Sequence, residues 1–528
     1  MTHQQIEGYR LSPQQTRLWL RTDRPFRHTA QCALLVEGAL RPDALAEHLR
    51  RLIDRHEILR TAFRLLPGME LPLQVILDRP AFTLRQHDAG EMDKARQRQF
   101  LDEQLRLERA RSFDPEGGEV LRACLVKLAA AQHALVLSLP PLCADARTLQ
   151  NIARELAELS AAAAGRSQSP DDVVQYVQFC EWQRELLESE EAAEGLRFWE
   201  QREKESAGVP APVLPLEKSA PEGGAQAGSA AGERPARGET ARAEGEPVGD
   251  DRGVVSQELG AEELRHLEAE AGRAGTGLEL LLLAGWQSLL WRLTGRPEVL
   301  TRVALDGRKY EDLYESLGLF TKYAPVKTPF QKNSSLDDII RQLEESHGQA
   351  SEWQEYYSPA DSDRLPERAD GIGYEYVSWT DPQPAEHLTF NCEELYSHTE
   401  PLKLKLTAVN RGHRLRLDFH YDPAAYERAN VERLSQQYLT LLRAAVAAPA
   451  QSLSHLALLD PRERHRLLVE FNDTGRDYPR GRTVHALFAE QAGRAPDAEA
   501  VACEGERLTY RRLDERSNQL ARHLRSLG

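Results

Sequence analysis

The sequence predicts an α/β fold carried by more than one lobe, and three observations predict it. The first is residues 134–160, ALVLSLPPLCADARTLQNIARELAELS, which read as a strand, a tight turn and a helix. Leu135 to Leu139 is apolar enough for a buried strand, and Pro140 and Pro141 end it. Asp145 then suits the N-cap of a helix whose apolar stripe is Leu149, Ile152, Leu156 and Leu159. The second is that both kinds of segment recur: residues 402–406 and 415–421 alternate with period two, as half-buried strands do, while Leu45, Leu49, Leu52 and Ile53 share one helical face behind Pro42. The third is size. A chain of 528 residues with 41% hydrophobic content can build the cores of two to four domains.

Charge and cysteine usage narrow the function classes. A formal charge of −16 argues against a general nucleic-acid binder, which needs a clustered excess of Lys and Arg. The six cysteines, Cys32, Cys124, Cys143, Cys180, Cys392 and Cys503, form no C-x-x-C pair, so neither a disulfide framework nor a metal site is expected. Residues 1–15 have no apolar signal-like core. Leu278 to Leu293 is interrupted by Gln287 and Ser288 and falls short of the ~20 residues a bilayer span needs, so it reads as a buried core helix. Together these point to a cytoplasmic protein with no membrane partner.

In chain order, Leu11 to Leu20 is a turn and short helix containing Ser12, Gln15, Arg17, Leu18 and Trp19, and Ala33 to Val36 a strand. The helix behind Pro42 runs into Arg55-His56-Glu57-Ile58-Leu59-Arg60-Thr61-Ala62-Phe63. His56 continues the Leu49, Leu52 stripe and reads as a packing histidine, and the charges around it as an ion-pair network. Gln74 to Leu77 reads as strand, Glu91 to Ala110 as a charged amphipathic helix, and Val120 to Leu128 and Ala134 to Leu139 as neighbouring strands joined by a short turn that leaves His133 at the surface. Tyr176 to Trp182 is aromatic-rich helix, continuing to about Lys204. From Glu217 to Pro247 no large apolar residue occurs, so this stretch cannot offset its ordering entropy and is expected to be a disordered insertion. Beyond it come a strand at Val254 to Leu259, a helix from Ala261, a strand at Leu300 to Leu305, then Asp306-Gly307-Arg308 and Leu317 to Val326. Gly373 to Val377 is strand and Val431 to Ala447 helix; His413 and His420 read as sheet residues.

These segments, in this order, resemble the core motifs of nonribosomal peptide synthetase condensation domains, most specifically at Arg55 to Phe63. The resemblance implies two chloramphenicol-acetyltransferase-like α/β lobes in a V-shaped pseudo-dimer, plus a small α/β fragment at the C-terminus. The implied boundaries are residues 1–175 and 176–458 for the lobes, with the insertion at about 217–253, a linker at 459–480 and the fragment at 481–528. Two histidines, three variable residues, an aspartate and a glycine form the family's active-site motif. Here they fall on Pro140, Pro141, Leu142, Cys143, Ala144, Asp145 and Ala146, so the aspartate alone remains. Proline offers no ring nitrogen and no backbone N–H in place of the histidine that serves as base or amine-positioning group. The resemblance further implies that Arg308 pairs with Asp145, and that Tyr374, Tyr376 and Ser138 line a central tunnel. Carrier proteins would bring thioesters on phosphopantetheine arms into that tunnel, with no cofactor bound directly and no metal.

Leu459 to Pro479, including Phe471 to Thr474 and Tyr478-Pro479, resembles the linker to an adenylation domain. Residues 481–528 resemble the start of that domain: a helix burying Val484, Leu487 and Phe488, a strand at Ala500 to Cys503, and Leu508-Thr509-Tyr510 before another helix. They contain no glycine-rich phosphate loop, so the chain is expected not to activate an amino acid and reads as a fragment of a larger synthetase. Cys143, a thiol near a helix N-terminus, could serve transthioesterification, but a small buried cysteine is the commoner outcome. The expected function is a condensation-like domain silent for peptide-bond formation, a platform for an adenylation domain in cis and for peptidyl or aminoacyl carrier proteins. The alternative is a condensation enzyme that forms amides or transfers acyl groups without the histidine pair.

Overall fold

Two sheets, each backed by helices, organise the first 460 residues, and a smaller unit spans residues 461–528. The structure is a computed structural model that describes residues 7–21, 29–80, 82–162, 173–210, 212–218, 252–358, 371–382, 387–400, 402–477, 480–503 and 505–528.

The first lobe runs α1 (Pro13–Arg21), β1 (Ala30–Gly38), α2 (Pro42–Arg55), β2 (Thr61–Arg64), β3 (Leu73–Ile76), β4 (Leu84–Asp88), α3 (Lys94–Ala110), β5 (Arg122–Ala129), β6 (Gln132–Leu139) and α4 (Ala146–Ala162). Pro42 opens α2 where its missing N–H costs nothing, and Asp93 caps α3 by accepting the Arg96 amide. The stripes of α2 (Leu45, Leu49, Leu52) and α4 (Leu149, Ile152, Leu156) meet over Leu34 and Leu135 of β1 and β6, all buried. Each such leucine stabilises the lobe by about 1.5–3 kcal/mol relative to exposure. The turn between β5 and β6 is Ala130–Ala131, shorter than the sequence suggested, so Gln132 and His133 are in the strand and His133 is buried rather than at the surface.

Through α5 (Tyr176–Glu188) and α6 (Ala193–Ala207) the chain enters the second lobe: β7 (Gly253–Leu259), α7 (Ala261–Arg273), α8 (Leu278–Thr294), β8 (Glu298–Leu305), β9 (Lys322–Pro329), α9 (Leu336–Glu352), β10 (Ile372–Ser378), β11 (Leu388–Ser397), β12 (Leu404–Asn410), β13 (Leu415–Tyr421) and α10 (Arg428–Ala447). The apolar run Leu278 to Leu293 is the central helix α8, buried on nearly all sides against the six-stranded sheet β7-β13-β12-β10-β8-β9. β11, unrecognised in the sequence, leaves this lobe and pairs along β1, giving the first sheet the order β11-β1-β6-β5-β4.

β12 and β13 are not half-buried. Lys405, Thr407, Asp418 and His420, the polar members of the alternation, are as buried as Leu404, Leu406 and Phe419. One face of the sheet packs on α8 and the other is covered as well, which is where this lobe keeps its buried charge. Within the expected insertion, Glu217 is ordered, its carboxylate taking Lys403 Nζ (2.9 and 3.0 Å) and Tyr426 OH (3.0 Å), and β7 begins at Gly253. Residues 219–251 of that segment lie outside the described residues, as do Tyr478 and Pro479.

The 461–528 unit comprises α11 (Pro461–His465) with a π turn at Arg466–Glu470, α12 (Val484–Arg494), β14 (Glu499–Cys503), β15 (Glu506–Thr509) and α13 (Tyr510–Ser526). Thr509 caps α13 through the Arg512 amide. Val484, expected inside, is 85% exposed, because the helix rests on α13 through other positions. Among the described residues no helix is long and apolar enough to cross a membrane.

Candidate functional site

The turn between β6 and α4 closes on itself and faces inward. The Cys143 N–H donates to the Pro140 carbonyl (2.9 Å), and the Leu142 carbonyl accepts from Gln15 Nε2 (2.9 Å). Every residue from Pro140 to Ala146 is buried. Asp145 caps α4 by accepting the Thr148 amide (2.8 Å). Its carboxylate is forked by Arg308 from the second lobe, Nη1 to Oδ2 at 2.9 Å and Nη2 to Oδ1 at 3.0 Å, with both side chains fully buried. The Phe320 and Thr321 amides (2.9 and 3.1 Å) and Thr321 Oγ1 (3.3 Å) complete its shell. Burial opposes ionisation of Asp145, but Arg308 and the amides of Thr148 and Phe320 outweigh it and hold the carboxyl below its ordinary range.

A second set of bonds joins the same pieces. Thr148 Oγ1 donates to the Gly318 carbonyl (2.7 Å) and accepts the Gly318 amide (3.0 Å). Tyr176 OH donates to the Leu319 carbonyl (2.6 Å) and meets Ser12 Oγ at 2.9 Å. Gly318 has φ +153°, and a Cβ there would lie 2.0 Å from the Tyr176 ring, so only glycine lets the segment come this close. Asp145 is thus a fully engaged joint between lobes, with no lone pair free for chemistry.

Cys143 is completely buried, and burial pushes its thiol far above the ordinary value, the opposite of what a nucleophile at a helix N-terminus requires. Of the six free cysteines only Cys503 is exposed. Native-state alkylation with iodoacetamide is therefore expected to give one adduct, at Cys503, with the other five reacting after denaturation; peptide mapping that finds Cys143 modified in the native protein would refute the burial argument.

Beside the turn lies a cleft of about 520 Å³, bordered by Ala146, Arg147, Arg308, Thr321, Glu375 and Tyr376 among others. Ala146 is the one motif position that reaches it; Pro140, Pro141, Cys143 and Asp145 do not. Of the expected tunnel residues, Tyr376 borders the cleft. Tyr374, two residues earlier on β10, is buried against α8 and donates to the Glu279 carbonyl (2.7 Å). Ser138 is buried on β6 and accepts from Gln31 Nε2 (3.0 Å). Neither belongs to this cleft. His56 is likewise inside a structural pair, Nε2 to Glu155 Oε2 at 2.7 Å, with Arg55 on the other carboxylate oxygen.

Several polar residues were not legible as a set. Lys405 Nζ, Glu375 Oε2 and Tyr323 OH form a buried network on the second sheet. Lys322, fully buried with its ammonium on the Gln354 carbonyl (2.6 Å), is pushed down to about 7 by burial, which nearby Glu355 only partly opposes. It borders a void of about 20 Å³ with Arg17, Glu400 and Tyr357, room for one water. The available signal was charge inside otherwise apolar strands: Glu375 in IGYEYVS, Lys405 in LKLTAVN, Lys322 beside Tyr323-Ala324. Among the described residues no group of three His, Cys, Asp or Glu side chains could hold a metal ion.

Residues 5–468 match the condensation domain family, and residues 488–528 match the AMP-binding enzyme family. Over 533 residues, 99% of this chain, the sequence is 27% identical to bacitracin synthase 3 of Bacillus licheniformis, of which it spans 8%. Among solved structures, the first condensation domain of the CDA synthetase superposes with a TM-score of 0.70 at 18% identity, covering 86% of this chain and 99% of that one. The X-domain in a complex with OxyB from teicoplanin biosynthesis superposes with a TM-score of 0.63 at 21% identity, covering 86% and 96%.

Proposed function

The chain belongs to the condensation-domain family of nonribosomal peptide synthetases, and from that premise we propose that it is silent for peptide-bond formation and acts as a platform that holds an adenylation domain in cis and docks carrier proteins. The observation that carries this reading is the composition of the turn. Where a base would face the substrate stand two buried prolines, a buried high-pKa thiol and an aspartate whose oxygens are all engaged, so no group there can accept a proton from an amine. A general base contributes typically ~10² to 10⁴ in rate, and this turn supplies none of it. The same fold occurs as one partner of a protein–protein complex in the X-domain with OxyB, which supports a docking role for the fold. Phosphopantetheine enters only as the arm of a docked carrier protein.

The cleft that reaches Ala146 favours a second reading, a condensation enzyme that works by holding an amine against a thioester, since orientation alone can contribute more than a base. One experiment separates them: intact-mass detection of condensation between a loaded donor and a loaded acceptor carrier protein. No product is expected from this chain. Product would overturn the silent reading; product from Pro141→His alone would identify a vestigial site, and silence from both would fit a scaffold.

A further inference from the structure

α1 of the first lobe meets β9 and residues 399–400 around the void of about 20 Å³, which has room for one water-sized species. Its ionisable lining includes two cations, Arg17 and Lys322, and one carboxylate, Glu400. Glu400 is committed to Arg17, whose Nε lies 3.1 Å from each carboxylate oxygen and whose Nη2 lies 2.5 Å from Oε1. That fork leaves over Arg17 Nη1, which is buried and has no hydrogen-bond partner. Lys322 is 4% exposed, and its ammonium donates only to carbonyls, those of Gln354 at 2.6 Å and Glu355 at 3.4 Å. Among the described residues no carboxylate forms a salt bridge with it; the Glu355 carboxylate lies 3.5 Å from Lys309 instead. Glu203 of α6 acts on Arg17 from further away, and burial keeps the Tyr323 and Tyr357 hydroxyls neutral.

Two occupants fit the size, and charge separates them. A water could accept from Arg17 Nη1 and donate to Gln14 Oε1, which is also buried without a partner. It would leave the Lys322 ammonium uncompensated, in a place where burial pushes that group down to about 7. An anion compensates both cations at once. It can also accept from Tyr357, whose hydroxyl oxygen takes Arg302 Nη1 at 3.3 Å and whose proton is still to give. The Gln14 amide holds only the Phe320 carbonyl, at 3.5 Å, so it can turn end for end and present N–H to an anion. A carboxylate or phosphate is too large for a one-water space, which leaves a monatomic ion.

We propose that this void is a binding site for one monatomic anion, chloride, held between Arg17 and Lys322 and tying the two lobes together. Binding takes up a proton on Lys322, because only the ammonium form attracts the anion. Affinity therefore falls as the pH rises past the folded-state value of Lys322, about 7. The inference concerns neither the turn nor the cleft and is independent of whether a bond is formed there.

The test melts the full chain at pH 6 in sodium chloride and in sodium gluconate of equal ionic strength, gluconate being too large for the void. All seven tryptophans precede Asp460, so their fluorescence reports the 1–460 unit. Chloride at about 0.3 M is expected to raise Tm by about 2 °C or more over gluconate, with an apparent affinity at least about tenfold weaker at pH 9 than at pH 6. Lys322→Met deletes an uncompensated charge rather than a partner, so it is expected to fold and to melt at one temperature in both salts. A second measurement needs no variant: crystals of the unmodified chain grown in bromide are expected to show an anomalous peak between Arg17 and Lys322. Equal Tm in the two salts at pH 6, a chloride effect that survives Lys322→Met, an affinity unchanged at pH 9, or a void holding only a water would each overturn the proposal. None of these readouts depends on condensation or on carrier proteins, so failure here is separate from failure of the silent-platform reading.

Discussion

Replacing Arg308 with methionine is expected to destabilise the 1–460 unit by about 3–5 kcal/mol, the cost of stranding a buried carboxylate. Asp145 would keep the Thr148, Phe320 and Thr321 donors but lose both bonds from the guanidinium, in a site with no access to water. Denaturant titration followed by tryptophan fluorescence gives the number. The pair Asp145→Asn with Arg308→Met separates lost charge balance from lost packing: recovery of half or more of the loss assigns it to the orphaned charge, and no recovery assigns it to packing. Acid should act on the same joint. Because the folded Asp145 carboxyl titrates below its ordinary value of 3.8, its contribution is complete above that value and is lost as the pH falls through the lower, folded-state value. Arg308→Met should therefore abolish part of the acid sensitivity of unfolding in that window, and an unchanged pH profile would contradict the assignment.

Gly307→Ala is expected to cost about 3 kcal/mol, an unusually large effect for one methyl group. Gly307 has φ +75°, and a Cβ there would lie 2.1 Å from the Phe320 carbonyl oxygen, a backbone atom that cannot swing aside. The displaced segment, just ahead of β9, is the one whose amides serve Asp145, and the displaced loop is the one that carries Arg308. The substitution should thus lower stability and loosen the Asp145 joint together, read as a lowered Tm and faster amide exchange at Phe320 and Thr321. A shift in Tm under about 2 °C would mean the close approach is not rigid.

How far the sequence could be read depended on the range of each signal. The α4 stripe, the Asp145 cap and the apolar α8 are local, with helical period or capping chemistry inside a dozen residues, and they occur in the structure at those positions. β11 was missed for two reasons: its apolar order Leu388, Phe390, Cys392, Leu395 changes phase at its own bulge, where Glu393 is left unpaired opposite Ala33 and Leu34, and its partner β1 lies at the far end of the chain. Burial of Lys405 and His420 depends on what covers the outer face of β12 and β13, and a period of two cannot report that. Tyr374 and Tyr376 share a parity, yet one is packed on α8 and the other borders the cleft, because β8 pairs with β10 at the first and has parted from it at the second. At the turn, the residue types already spoke against a base; their engagement in bonds from Gln15, Phe320 and Thr321 needed coordinates.

The pairing of β11 with β1 also governs the order of events on the ribosome. The first sheet holds β1, β4, β5 and β6 by Leu139, but its edge on β1 stays unpaired until Leu388 to Ser397 has been made, roughly 250 residues or about 12–50 s of synthesis later. Throughout that interval a nascent chain displays nine residues of open, apolar strand edge, a template for wrong partners. A truncation between the lobes makes that interval permanent, so neither half is a natural unit for expression or exchange, whereas the boundary at Asp460 lies beyond Ser397 and keeps the sheet whole.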